Sequence, residues 1–414
     1  MADGLEQQLK LLGKAIPRSA IEHQRIALVG ASPEGIGAVP DGLGVFEKRS
    51  DSKRMNGAPT YILLGSEEKT VMWRASGGAW LVGSTKEEGS SNGSIRAKDS
   101  TEAPTPDSIT SSCWKFRDGK GTYREAPTVR CIAGEELELE YASATNLIAL
   151  VGSTPGNIQR DCLGLFERSK SEFVNGYPTY HIIGTDGNDI LWHAGSCWIV
   201  GNREDLGAKK GGLLCYDGSL KPECIAAGLW EVMDLKNEWV VAPEVRVVFG
   251  AQLEFERRSA AMTVALVGAT PRQLHGSFVG IFERLPNQVN GLPTYKSKGS
   301  GEGAKAVLMW HAGSYWFVGS FARSAGGQMR AADGALRAEC VAACWEVWDG
   351  KAGKGGRGAW VEAPELRCLP KHRIVQAVEE IKAADRSVAR RQQLRRTVSA
   401  IGRLEKQTKR PIAG

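Results

Sequence analysis

The chain has 414 residues, 42% of them hydrophobic and 24% charged, with a formal net charge of +6. That composition is ordinary for a globular protein and excludes low-complexity, collagen-like and disulfide-dense classes. No apolar run approaches the ~18 residues of a membrane-spanning helix.

The first 25 residues predict a short amphipathic helix over Leu5 to Lys14. Asp3 and Glu6 with no long apolar core match neither a signal nor a transit peptide. A cytoplasmic, reducing compartment is the expectation.

From residue 26 one pattern is spelled three times, at intervals of roughly 115 to 120 residues. Each copy opens on an apolar run ending in Gly30, Gly152 or Gly268. Gly-x-Phe-Glu-Lys/Arg follows from Gly44, Gly164 and Gly280, then Asn-Gly-x-Pro-Thr-Tyr from Asn56, Asn175 and Asn290. A Trp pair comes next (Trp73/Trp80, Trp192/Trp198, Trp310/Trp316), then Trp114, Trp230 or Trp345, and an Ala-Pro-x-Val/Leu-Arg close. Asn-Gly between β-type runs is the strongest short hairpin signal, because both residues tolerate positive φ. The Trp pair frames a second hairpin, and Trp230 to Val241 a third. About seven short strands per copy give an all-β fold class: three tandem antiparallel domains, β-sandwich-like or rolled-sheet. The predicted domains are 26–141, 142–257 and 258–369.

At the joins, Leu137-Glu138-Leu139-Glu140-Tyr141 and Leu253-Glu254-Phe255-Glu256 alternate apolar and acidic residues, which predicts half-exposed strands. The stretches Ser84 to Ser112 and Gly350 to Gly358 are predicted surface loops. After Pro370 the spacing of Ile374, Val378, Ile381 and Val388 predicts a helix over 370–414. Residues 386–414 carry nine Arg/Lys and one acid, Glu405, so the basic excess of the chain belongs to this tail.

Cysteine positions exchange with Ser, Leu, Val or Ala between copies: Cys224 and Cys340 stand where copy one has Ser108. Such sites are small apolar positions, and free thiols are expected. Glu47, Glu167 and Glu283 supply one carboxylate per copy, which is no general acid and base pair. His193 and His311 become Arg74 in copy one, which no metal site would tolerate. No catalytic residue, cofactor or metal site is therefore predicted.

Two functional readings lead, with an enzyme of unrecognised type as a third and weaker one. The first is a non-catalytic interaction or scaffold protein whose tail (Arg386, Arg390, Arg391, Arg395, Arg396, Arg403 and Lys406) docks on an acidic protein surface or multi-protein assembly. Nucleic acid or an anionic membrane surface is a weaker partner, because the tail holds no aromatic side chain. The alternative is a glycan-binding, lectin-like protein using Trp73, Trp80, Trp192, Trp198, Trp310 and Trp316 as repeated platforms. The spaced motifs over residues 26 to 369 resemble a tandem Trp-rich repeat of uncharacterised proteins from algae and other protists. No activity is established for that repeat, so the resemblance implies an architecture and carries over no catalytic residue.

Overall fold

The computed structural model describes residues 22–30, 33, 42–51, 53–66, 69–97, 103–109, 114–185, 187–225, 228–298, 306–320, 326–350 and 358–373. The predicted helix at residues 5–14 and the whole basic tail from 374 lie outside them.

Each copy forms one nine-stranded antiparallel sheet of the same strand order. In the second, Leu147–Val151 pairs with Gly164–Val174. The chain then meanders through Tyr177–Ile182, Asp189–Ala194, Cys197–Asn202, Leu213–Tyr216, Trp230–Met233 and Trp239–Val241. The last strand, Arg246–Phe249, crosses to the far edge and pairs with Leu147–Val151.

That return dictates the shape. Nine strands laid flat would span ~38 Å at ~4.8 Å per step. From Val241 to Arg246 the chain has five peptide steps, at most ~19 Å. The two edges must therefore approach each other, so the sheet rolls. The fold is all-β with three rolled sheets, and the strand count is nine rather than seven. The two strands missed per copy are those of the Leu213–Tyr216 and Arg246–Phe249 type. In copy one the former is Ile95–Ala97, inside the stretch expected to be loop, where Ile95 and Ala97 are buried. Three alternating residues within a polar, Ser-rich run are too short a signal to register as a strand.

Rolling buries both faces of the central strands. Side chains alternate across a strand, so Leu191 and His193 point inward while Trp192 points outward. His193 lies opposite Trp198 in the register, which puts the two tryptophans of the pair on opposite faces. Trp198 and Trp230 pack inside with Phe166, Tyr180 and Val232. Trp192 packs outside with Ile190, Ile199 and Leu214.

Each indole N–H of the pair then holds a loop in place. Trp192 donates to Ala208 O (3.0 Å) and Trp198 to Ser219 O (2.9 Å). Trp73 and Trp80 do the same with Ser90 O and Ala103 O, and Trp316 with Ala335 O.

The joins are helices, not strands. Gly134–Ala142 and Gly250–Ser259 begin at glycines with φ of +56° and +53°, a left-handed turn that ends the preceding strand. The period-2 reading placed Leu137, Leu139 and Tyr141 on one face. A helix pairs i with i+4 instead. Leu137 is buried, Tyr141 is half-buried and Leu139 is 63% exposed. Phe255, which corresponds to Leu139, is likewise 67% exposed. Helical spacing also lets Arg130 reach both Glu136 and Glu140.

Replacing Trp198 by Ala is expected to destabilise the second sheet by about 3–5 kcal/mol, through lost burial and the cavity left behind. The half-buried Trp239→Ala should cost clearly less. Urea unfolding followed by far-UV circular dichroism distinguishes the two.

Candidate functional site: the joint between copies

The most elaborated constellation of polar and apolar groups lies where one copy meets the next, and it occurs twice. In each copy the Asn-Gly hairpin is tied to the Trp hairpin. Asn56, Asn175 and Asn290 donate from Nδ2 to the carbonyls of Arg74, His193 and His311 at 2.7, 2.9 and 2.8 Å. In copies two and three the paired hairpins form a seat for the preceding copy.

At the first joint, Ser196 Oγ accepts from the backbone N–H of Gly42 (2.8 Å) and Leu43 (3.2 Å) and donates to Leu43 O (3.0 Å). At the second, Ser314 Oγ donates to Asp161 O, and Gly313 N–H donates to Ile183 O at 2.8 Å. Backbone runs against backbone here, which only glycine permits. A Cβ on Gly44 would sit 3.0 Å from Gly195 O, and one on Gly164 2.7 Å from Gly313 O.

The apolar contact repeats as well. Val45 of copy one abuts Gly176 of copy two, and Leu165 of copy two abuts Gly291 of copy three. Val45 and Leu165 are fully buried.

The linking helices complete each joint by charge. Lys221 pairs with Glu140 (2.7 Å) at the first, and Arg337 with Glu256 (3.1 Å) at the second. Lys221 foremost, then Arg130, holds the Glu140 carboxyl below its ordinary range. Between helix and sheets lies a cleft of 220 Å³ at the first joint and 290 Å³ at the second. Cys224 and Cys340 line the two clefts at one register. Both cysteines are exposed residues whose thiols are only partly desolvated, which raises them above their usual value and keeps them protonated at neutral pH.

The two histidines are buried within the second and third sheets as neutral rings. His193 stacks on Tyr177 at 3.7 Å and lies 3.0 Å from Asp217 O. Burial lowers its pKa to about 3 and that of His311 to about 4. The Glu47 register lies on the sheet surface: Glu47 pairs with Arg25 and Glu283 with Lys298, and Glu167 lies 3.9 Å from His181 Nε2.

The glycan platform needs correction. Trp73, Trp80, Trp192, Trp198, Trp310 and Trp316 are all 0% exposed. A ring with no exposed face cannot stack on a sugar, and rolling of the sheet is the reason. The tail residues Arg386 to Lys406 lie outside the described residues. The eight described cysteines are free thiols. Among the described residues no group of three His, Cys, Asp or Glu could hold a metal ion. No described helix is long and apolar enough to cross a membrane.

Sequence reasoning missed Ser196 and Ser314, and also Glu223 and Glu339. Glu223 accepts from Thr145 N and Oγ1 (2.7 and 2.8 Å), and Glu339 accepts from Ala261 N (2.9 Å). The available signal was their shared register after Pro222 and in Ala338-Glu339-Cys340. No protein-family model, curated protein or solved structure matches the chain.

Ser196→Ala leaves three buried backbone groups short of a partner, an expected cost of about 1–3 kcal/mol. Limited proteolysis should then cut faster in helix Gly134–Ala142. Ser76→Ala, on the corresponding hairpin of copy one, should stay within about 0.5 kcal/mol.

The histidines also set a pH dependence. Their folded pKa values lie below the ~6.5 of an unfolded chain, so their contribution is complete above that value and lost as pH falls. Stability should drop by about 1 kcal/mol per pH unit for each histidine between pH 6.5 and 5. Burial raises the pKa of Asp217, which acts with the opposite sign at lower pH. Urea midpoints at pH 7 and 5 measure the slope, and a His193→Gln/His311→Gln variant should flatten it.

Proposed function

We propose that the chain is a non-catalytic scaffold: three rolled sheets locked into one body, carrying a basic tail that docks on an acidic protein surface or assembly. The observation that carries this reading is the twice-used joint. The motif residues that recur along the chain (the Asn-Gly hairpin, the Gly-Ser turn, the apolar residue after Gly44 and Gly164) are spent on fixing one copy against the next. A polypeptide that devotes its recurrent positions to holding domains in fixed relation is suited to presenting surfaces at set spacing. The charge distribution supports the docking half: residues 386–414 hold nine basic side chains and one acid, while the rest of the chain is slightly acidic.

Contacts of exposed charges are screened by salt. A pull-down of the native partner from source-cell extract should therefore weaken as ionic strength rises. It should be lost on deletion of residues 386–414 and on Arg390→Glu/Arg391→Glu/Arg395→Glu/Arg396→Glu. Unchanged co-purification in those variants would refute the role of the tail.

A further inference from the structure

The joint is heterologous: one copy offers an edge, the next a seat, and the two surfaces differ. Edge one meets seat two and edge two meets seat three. This leaves seat one and edge three at opposite ends of the array. Were the copies closed into a ring, edge three would cover seat one. It does not, among the described residues: a Cβ added at Gly280 meets nothing within 4 Å, nor does one at Gly57, Gly77 or Gly78.

Both free ends keep the apolar and glycine positions of the joint, while Gly78 stands where seats two and three carry Ser196 and Ser314. Ile281 stands where Val45 and Leu165 are fully buried against the next copy, and it is 42% exposed. Gly57 stands where Gly176 and Gly291 receive those side chains, with φ +79° against +82° and +75°. At the third edge an open hollow of 650 Å³, lined among others by Gly268, Thr270, His275 and Val279, occupies the place where the first two edges carry their clefts.

We propose that the chain associates head to tail with a second copy of itself. The Ile281 edge of one molecule docks on the Asn56-Gly57 hairpin and the Ser76-Gly77-Gly78 turn of the next. The occupant follows from continuity: the internal joints show what this edge binds, and seat one is the remaining surface of that kind among the described residues. A heterologous contact that does not close on itself produces open linear chains of molecules.

Three differences weaken the end joint relative to the internal ones, the first being that Gly78 brings no hydroxyl where Ser196 and Ser314 bond across the internal joints. Lys298, paired with Glu283, stands where Leu64 and Ile183 contribute apolar surface, and the turn of copy one is a residue longer than Gly195-Ser196. No linking helix tethers the partners either. The association is therefore reversible and concentration-dependent.

Sedimentation velocity of the full chain tests this, from low to high micromolar. The expected result is a shift from the 44.7 kDa monomer to dimers and longer species. Ile281→Arg disables the edge at an exposed site. Gly77→Trp obstructs the seat, and a side chain there meets nothing within the chain itself. Each variant alone should remain monomeric, while an equimolar mixture should give dimers and nothing longer, since each retains the complementary half. A wild-type chain that stays monomeric throughout would show that Lys298 and the longer turn cap the array, overturning the proposal. Variants that associate like wild type, or a mixture that does not dimerise, would overturn it too. Removing residues 386–414 should leave the association intact, so its outcome is separable from that of the partner pull-down.

Discussion

The short return between the last two strands of each copy is the constraint on which the rest depends. Four residues separate Glu125 from Arg130, four separate Val241 from Arg246, and three separate Ala363 from Arg367. None of these spans can cross a flat sheet of nine strands, so each sheet must roll until its edges are neighbours. Rolling creates an interior wide enough for Trp80, Trp198 and Trp316, and a curved outer face for Trp73, Trp192 and Trp310. Burying ~200 Å² of each ring stabilises by roughly 5 kcal/mol. The indole N–H groups that follow the rings inward then need acceptors, and the carbonyls of the covering loops supply them.

The joint between copies is a consequence of the same geometry. A rolled sheet presents hairpins at its rim rather than a flat face, and rims meet backbone to backbone. Close approach of this kind excludes Cβ atoms, which explains the glycines at 44, 164, 176 and 291. It also exposes backbone N–H and C=O groups that sheet pairing does not satisfy. Ser196 serves three of them with one hydroxyl. Position 196 thus acts as a connector between copies, although nothing in its immediate sequence context marks it.

Comparison of particular elements shows where sequence patterning carries information. Asn-Gly flanked by β-type runs forms the expected hairpin in every copy, because the positive φ of both residues is a local demand. The Leu137-Glu138-Leu139-Glu140-Tyr141 stretch failed as a strand because a period of 2 and a period of 3.6 share several positions over five residues. A preceding glycine in the left-handed region and acids in the first turn tip it to helix. The platform reading of the tryptophans failed for another reason. Alternation says that neighbours lie on opposite faces, but not that both faces are covered.

The sequence by itself determined the all-β class, the three-fold repetition and the turn positions, since these depend on local backbone demands and on periodic side-chain choice. It also determined that the positive charge is concentrated after residue 385, which is a matter of counting. Tertiary structure decided the roll of each sheet, the burial of every paired tryptophan, the neutral state of His193 and His311, and the heterologous joint with its open ends. Each of these depends on contacts between residues far apart in sequence, such as Ser196 and Leu43, which are 153 positions apart. Local pattern holds no record of such distances.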